Sequence, residues 1–590
     1  MVVYSCVNNR LSAGMHVVTV TKRQGSREYH STLVRSSYRE GGKVKKRTLA
    51  NLSHLPPATI EVVRRSLAGE TLTGSAEQLV VERSWPHGHV AAALGTARQL
   101  GLEAVLDPTP SRQRQLVLAM VVARVLEPAS KLATSQLWDT TSLGRTLGVS
   151  EATEDDLYAA LDWLVERQEA IEQRLAQRHL EPGGMVLYDL TSTYVEGEHC
   201  ELARRGYSRD GKPNQPQVEF GLITNAAGDP VAIEAYPGNT ADPATFQDQV
   251  AKVKDRFGVA DVIWVGDRGM ITSTQVAQLR ALAGLSWVTA LRAPTIQQLV
   301  EAGSIQMSLL DTHDLAEVTD ARYPGERLVL CFNPLLAEER AKRREDMLQA
   351  TEKELAKVSA MAARSTAGGR AGLHGQAAIA ERVGRVVNKH GMAKHFVRTI
   401  TETSFTYHRN DVAIEREARL DGFYVLRTNV AADRLDTAGV VLAYKSLAHI
   451  ERAFRHFKLG DLEVRPIYHY RERRVRAHLL LCLLAYWLQR TMERKLAPLL
   501  FADEAPPERP DPVAPAPRSA AARRKEQRKR TDDGLPVQRF RVLLKRLSTI
   551  VKNRVVPGAT GVAAAFDLVT LPDALQARAF DLLGVSLTAA

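Results

Sequence analysis

Five short runs rich in Val, Ile and aromatic residues follow one another between residues 185 and 292: "MVLYDLTS", "QVEFGLITN", "PVAIEAYP", "DVIWVGDRG" and "LSWVTALR". They constrain the fold more than any other feature, because such residues favour a pleated, largely buried surface. "NAAGDP" between the second and third reads as a hairpin turn, and "DPATFQDQVAKVKDRFG" and "STQVAQLRALAG" read as helices. The predicted order is strand, strand, strand, helix, strand, helix, strand. That is an α/β layer with a mixed sheet.

Two of these runs end oddly. The first leads four apolar residues into Asp189, with Thr191, Ser192 and Thr193 just behind, and the fourth leads into Asp267. An aspartate at a strand end often caps the following helix, and either residue alone reads that way. Together, at the ends of the first and fourth strands of one sheet, they can face the same ion if the topology makes those strands neighbours. A third acid would help to hold two divalent ions, the arrangement that activates water and stabilises a leaving oxygen in phosphoryl chemistry.

The third acid is sought on the helix "AYKSLAHIERAFRHFK", which follows the last strand, "DGFYVLRTN". Leu447, Ile450, Phe454 and Phe457 form an apolar stripe at helical spacing. Tyr444, Glu451 and Lys458 run beside it at intervals of seven, with the outer pair ~21 Å apart at ~1.5 Å per residue. Arg455 shares their face, and His449, Arg452 and His456 add donors. Taken alone, Glu451 and Arg455 read as an i,i+4 ion pair on a solvated face.

At 590 residues the chain should hold several domains. Residues 1–87 read as a small β/α unit, with a hairpin around "EGGK" and a short helix "ATIEVVRRSLAG", and its basic surface could touch DNA. Residues 88–180 read as helices suited to DNA binding or dimerisation. The α/β segment occupies 181–292 and resumes over 418–500. Between them, 293–417 reads as an insertion carrying a long charged helix, solvated or hairpinned. Residues 506–517 hold six prolines and 518–530 hold seven Arg or Lys, so 501–535 reads as a disordered basic linker. Residues 536–590 read as a C-terminal helical segment.

The formal net charge is +12, which favours a polyanionic partner and says nothing about fold. Cys6, Cys200, Cys331 and Cys482 lack metal-binding or disulfide spacing, which fits a reducing cytoplasm. "MVVYSCVNNR" lacks the order of a signal peptide. The runs "LVLAMVVARVL" and "AHLLLCLLAYWLQ" are too short for a bilayer and read as core helices. A cytoplasmic protein without membrane contact is expected.

With these blocks in order, the chain resembles bacterial insertion-sequence transposases of the DDE class, and more narrowly the IS-four-like group with its Y-x2-R-x3-E-x6-K signature. "YDLTSTYVEG" is similar to the first acid block, "IWVGDRGM" to the second, and "YKSLAHIERAFRHFK" to the signature, with Leu447 where the group has Arg. The resemblance covers roughly residues 181–490. It implies an RNase H-like catalytic domain interrupted by an insertion domain. It further implies that Asp189, Asp267 and Glu451 are the catalytic metal ligands for two Mg2+ ions, with Mn2+ as the alternative. Tyr444, Lys458, Arg455, Arg452 and Arg268 would contact DNA. The implied reaction is metal-dependent cleavage at element ends and 3′-OH strand transfer into target duplex DNA by a homodimer. A related nuclease or resolvase that cuts without joining, and a catalytically decayed DNA-binding protein, are the rival readings.

Overall fold

The computed structural model describes residues 15–587 apart from 25–26, 41, 71–78, 283, 307–309, 311–313, 367–372, 509–510 and 558–564. Two compact units are present, one of residues 1–84 with 552–569 and one of 85–551 with 570–590. The first holds β1 (Met15–Gln24), β2 (Arg27–Glu40) and β3 (Lys43–Asn51), followed by α1 (Pro57–Leu67) and β4 (Leu79–Pro86). β1, β2 and β3 form an antiparallel sheet. The predicted hairpin is β2–β3; Gly41 of its "EGGK" turn lies outside the described residues, as does Cys6.

The second unit opens with the predicted helices: α2 (Gly88–Gln99), α3 (Leu102–Leu106), α4 (Arg112–Leu126), α5 (Lys131–Gln136), α6 (Leu143–Leu147), α7 (Glu154–Val165) and α8 (Gln168–His179). The α/β part follows with β5 (Met185–Tyr194), β6 (Gln217–Asn225), β7 (Pro230–Pro237), α9 (Asp242–Ala251), β8 (Val262–Val265), α10 (Ser273–Arg280) and β9 (Leu285–Ala290). This is the predicted order. Next come α11 (Ala293–Glu301), β10 (Leu315–Val318), β11 (Arg327–Phe332), α12 (Pro334–Thr366), α13 (Gln376–Lys389), β12 (Phe396–Ile400), β13 (Phe405–Arg409), α14 (Asp411–Ala418) and β14 (Phe423–Thr428). The chain closes with α15 (Thr437–Lys445), α16 (Leu447–Lys458), α17 (Glu472–Lys495), α18 (Ala520–Arg528), α19 (Phe540–Leu547), β15 (Val551–Pro557), β16 (Phe566–Val569) and α20 (Ala574–Leu583).

One eight-stranded mixed sheet runs β10-β11-β14-β9-β8-β5-β6-β7. β5, β6 and β7 are antiparallel neighbours, whereas β5–β8 and β8–β9 are parallel. This central arrangement is the mixed α/β sheet that the order of the runs predicts. β6 is buried along all but its last residue, as an inner strand covered on both faces must be. Phe220 on β6 meets the rings of Phe454 and Phe457 at 5.7 and 5.9 Å, which seats α16 on the sheet. Trp264, Trp287 and Tyr188 of the sheet and Phe246 of α9 are fully buried in one core cluster. α17 is buried continuously from Ala477 to Gln489, the pattern of a helix enclosed on every side. Among the described residues, no helix is long and apolar enough to cross a membrane.

Three expectations are corrected. The segment 293–417 is no simple insertion, because β10 and β11 extend the main sheet through β14. Its long helix α12 takes the hairpinned of the two expected forms: Leu348, Leu355 and Val358 pack in a core with α13, Phe396 and Phe405. Residues 501–535 are not a disordered linker where described. Val513 is 1% exposed, Lys445 donates to the carbonyls of Val513 and Ala514 at 2.5 and 3.0 Å, and α18 buries Ala522 and Lys525. Proline fixes φ in advance and lowers the entropy that ordering must overcome, so a Pro-rich strap can dock with few contacts. The C-terminal segment is not purely helical, since β15 and β16 pair with β4 in a second three-stranded sheet. The described cysteines, Cys200, Cys331 and Cys482, are free and buried.

The helical region and the α17 segment carry histidines that folding keeps neutral. Burial lowers His89 and His179 to about 4, and lowers His469, beside Lys131 and Arg124, to about 3. His478 is also driven well down by burial and by Lys131 and Arg124. A base held below its ordinary 6.5 contributes stability that is complete above that pH and is lost as pH falls toward the folded value. Acidification from pH 7 to 4.5 is therefore expected to cost roughly 1 to 2 kcal/mol per histidine. Urea unfolding at pH 7.5, 6 and 5 checks this; a midpoint independent of pH would contradict it.

Candidate active site

β5 and β8 run side by side with Met185 opposite Ile263, Val186 opposite Trp264 and Leu187 opposite Val265. The offset is 78 at every rung (263 − 185), and the same 78 separates Asp189 from Asp267. The ladder ends two residues before each aspartate, and the charge of Asp267 acts on Asp189. Asp189 is not at a strand end, as the sequence suggested. It lies within β5, opposite Leu222 of β6, and the strand continues to Tyr194. The ladder to β6 holds β5 extended after β8 has stopped.

Asp267 sits in the turn where the chain leaves the sheet. Its Oδ1 accepts from the amides of Gly269 and Met270 at 2.8 and 2.7 Å, so the expected turn-capping role is real. Its carbonyl accepts from the Thr289 hydroxyl of β9 at 3.1 Å. These bonds fix the direction of the carboxylate. Asp189 Oδ1 accepts from the Leu190 amide at 2.8 Å. Burial, and then the charge of Asp267, push the Asp189 carboxyl up to about 7, against the pull of that amide and of Arg209.

α15 and α16 are separate helices with Ser446 between them. Tyr444 is therefore not on the same helix as Glu451, contrary to the single helix predicted. Ser446 explains the break: its hydroxyl bonds back to the Ala443 carbonyl at 2.6 Å, competing with the helix ladder. The charges of the three acids still reach the Tyr444 phenol. Burial raises the Tyr444 phenol to about 12, with Asp267, Glu451 and Asp189 adding to the rise and Arg268 opposing it. Glu451 is exposed on α16 while Ile450, Phe454 and Phe457 bury the opposite face.

The predicted cations divide. Arg268, Arg452 and Arg455 are exposed, and Arg452 lines a groove with Arg490, Arg494 and Lys495. Lys458 is already engaged: its Nζ donates to Thr191 Oγ1 at 2.6 Å and pairs with Asp210 at 3.1 Å, where Arg465 also binds at 2.7 Å. A lysine so held fastens the end of α16 to β5. Thr191 and Ser192 do not shape a turn; they lie in β5, where Ser192 accepts from the Arg209 amide at 3.0 Å.

Three residues at this site went unpredicted. Arg209, in the β5–β6 connection, bridges Glu219 and Asp242, each at 2.6 Å. Glu219 is 2% exposed and lies opposite Ser192; its burial outweighs the attraction of Arg209 and holds its carboxyl up at about 7. Glu219 interrupts β6 as Asp189 interrupts β5, a signal open to sequence reading. Nothing local marks Arg209 or Asp242.

Among the described residues, no three His, Cys, Asp or Glu side chains are gathered as a ready ion cage. The acids nonetheless suit a hard cation: all are oxygen donors, and the half-buried Asp189 and Asp267 repel one another. Neighbouring like charges favour an added positive charge.

Comparison with protein families gives two matches. Residues 17–78 match the model for the N-terminal domain of the IS1634 family of transposases, and residues 183–488 match the transposase DDE domain. No curated protein matches the sequence. Among solved structures, the chain is similar to a cryo-EM structure of the piggyBac transposase synaptic complex with hairpin DNA, at 9% identity and a TM-score of 0.33. That match covers 78% of this chain and 76% of that one. Likeness at this level has no bearing on the chemistry.

Proposed function

This chain belongs to the transposase DDE-domain family, and from that premise we propose that Asp189, Asp267 and Glu451 form the catalytic centre of a DNA transposase that cuts the ends of an insertion sequence and joins them to target DNA. The observation that supports this reading is the parallel pairing of β5 with β8 at an offset of 78, the separation of Asp189 and Asp267, together with the charges of all three acids acting on the Tyr444 phenol. The three carboxylates would hold divalent ions, Mg2+ or Mn2+. When bound, such ions activate water or a 3′-OH and stabilise the leaving oxygen.

The chain's own groups supply position. The two amides on Asp267 Oδ1 keep that carboxylate from rotating. With its phenol raised to about 12, Tyr444 stays protonated at neutral pH and donates to a phosphate oxygen. Arg268 and Arg455, exposed on the loop and helix carrying Asp267 and Glu451, bind flanking phosphates; guanidinium suits a phosphate because it bonds in a bidentate fork. Lys458 acts differently from the role its motif position implies. It ties α16 to Thr191 and Asp210 and so sets the height of Glu451 above the sheet. Concerted cutting of two ends requires two copies, and the working form is a homodimer on DNA.

The test uses a plasmid carrying the gene with its bordering DNA. Mg2+ or Mn2+ should yield breaks at the element borders and joined products, and EDTA should abolish both. Breaks without joined products would make the chain a nuclease, and binding without turnover under any divalent ion would leave only a DNA-binding protein.

A further inference from the structure

Between α16 and α17 the chain alternates between covered and open residues. Ile467 is buried and His469 half-buried, whereas Tyr468 and Tyr470 are 67% and 54% exposed. Such alternation marks an extended segment with one covered face. Two sets of contacts hold it. The Ile467 amide donates to the Tyr194 carbonyl at 3.1 Å, and the Ile467 carbonyl accepts from the Glu196 amide at 2.9 Å, which pins the segment to the end of β5. The His469 ring meets those of Tyr158 on α7 and His478 on α17, with centroids 6.0 and 5.2 Å away.

The two tyrosines thus stand on a fixed backbone with more than half of each residue open to water, where a large ring adds little to the fold. Two cations flank them. Arg471 lies 5.7 Å over the Tyr470 ring, and Lys212 lies 3.6 Å over the ring of Tyr194, at the strand end that holds Ile467. Both are exposed, and among the described residues neither has an acid partner. Arg465, Arg473, Arg474 and Arg476, by contrast, all hold carboxylates.

We propose that Tyr468 and Tyr470 form a stacking platform for unpaired bases of a DNA strand leaving the catalytic centre, with Arg471 and Lys212 on its phosphates. A base offers its face to a protein ring only when it is unpaired or unstacked, and exposed aromatic rings beside cations suit such a strand. A duplex backbone would call for a run of free cations, and most of the cations here are already paired. Val195, which bridges to Ile467, lies six residues beyond Asp189 on the same chain, ~20 Å at ~3.3 Å per residue. A stacked strand covers that distance in about six nucleotides at ~3.4 Å each. The proposal rests on the reading above for its choice of DNA, and it adds contacts to bases where the three acids and their flanking cations concern only the phosphates.

The full chain would be titrated, in EDTA so that nothing is cut, with a duplex from the gene's border, either blunt or carrying a 3′ or a 5′ tail of about eight unpaired nucleotides that includes 2-aminopurine. A tail of one polarity should tighten binding about tenfold over the blunt duplex and quench the 2-aminopurine emission by stacking. Tyr468→Ala/Tyr470→Ala should lose both the gain and the quench, yet bind the blunt duplex within about twofold of the unaltered chain. Tyr468→Phe/Tyr470→Phe should keep both, since stacking needs the ring and not the hydroxyl. Arg471→Ala should lower the log–log salt slope on the tailed duplex by ~0.7, the share of one single-strand phosphate. Equal affinity for tailed and blunt DNA, or a gain that survives loss of both rings, would overturn the proposal. So would equal weakening on blunt DNA; a changed oligomeric state in light scattering would then make the tyrosines an interface between copies. A chain that shows the tail effect but never cuts DNA would sink the catalytic reading and leave the platform standing.

Discussion

Asp189→Asn is expected to reduce cleavage at element borders by about 10³-fold or more while leaving DNA binding within a factor of two or three. A barrier rise of ~4 kcal/mol gives that ratio, and losing one charge from a metal-binding pair is a change of that order. The substitution keeps the shape of β5 and the bond from the Leu190 amide, which a carboxamide oxygen accepts equally well. A second readout separates loss of metal from loss of fold. In the metal-free chain Asp189 is crowded by Asp267, so replacing it by a neutral group should leave the thermal unfolding temperature at pH 8 unchanged or higher. Added Mg2+ or Mn2+ should raise that temperature for the unaltered chain through preferential binding to the folded state, and should do so far less for the variant. A variant that still cuts, or that shows the full metal-induced shift, would remove Asp189 from the centre.

Arg209→Ala is expected to have the largest effect on stability, about 3 kcal/mol. Glu219 is 2% exposed and Arg209 is its cation at 2.6 Å. Removing Arg209 takes charge-assisted hydrogen bonds, each worth ~1.5 to 3 kcal/mol, from both carboxylates, and Glu219, already at about 7, then takes up a proton. Asp242 loses the same partner, and Asp189 loses an attraction that opposes its raised carboxyl. Cleavage should fall with stability. Adding Glu219→Gln to Arg209→Ala should recover at least ~1.5 kcal/mol, because a neutral amide no longer needs the guanidinium. Trp264 and Trp287, fully buried in the same core, provide a fluorescence signal for urea unfolding. If the two changes simply add, the pair does not act as a unit.

The fold was legible to the extent that periodicity reports it. The strand and helix order over 185–290 follows from β-branched and aromatic runs separated by helical ones, and the burial of α17 follows from its unbroken apolar run. Asp189 and Asp267 were legible for a related reason: a carboxylate interrupting an apolar strand is costly unless something compensates it. Glu219 carries the same mark. Signals of this kind are local, and each residue's own neighbours in sequence contain them.

Other features had no local trace. The Pro-rich strap looked unstructured because composition cannot reveal the Lys445 side chain that donates to its carbonyls. The break at Ser446 leaves the heptad spacing of Tyr444, Glu451 and Lys458 intact, so spacing alone gave one helix where there are two. Lys458 looked free for DNA because Asp210 and Thr191, its partners, are 248 and 267 residues away.

By itself, then, the sequence determined which segments are strands, which helices form the core, and which acids are out of place in apolar surroundings, since these depend on period and neighbouring residue type. Only the tertiary structure decided that β8 lies parallel to β5 at an offset of 78, that Arg209 reaches both Glu219 and Asp242, and that Lys458 is held. Strand register and long-range ion pairs are set by packing across the whole sheet, and no window of neighbouring residues contains that information.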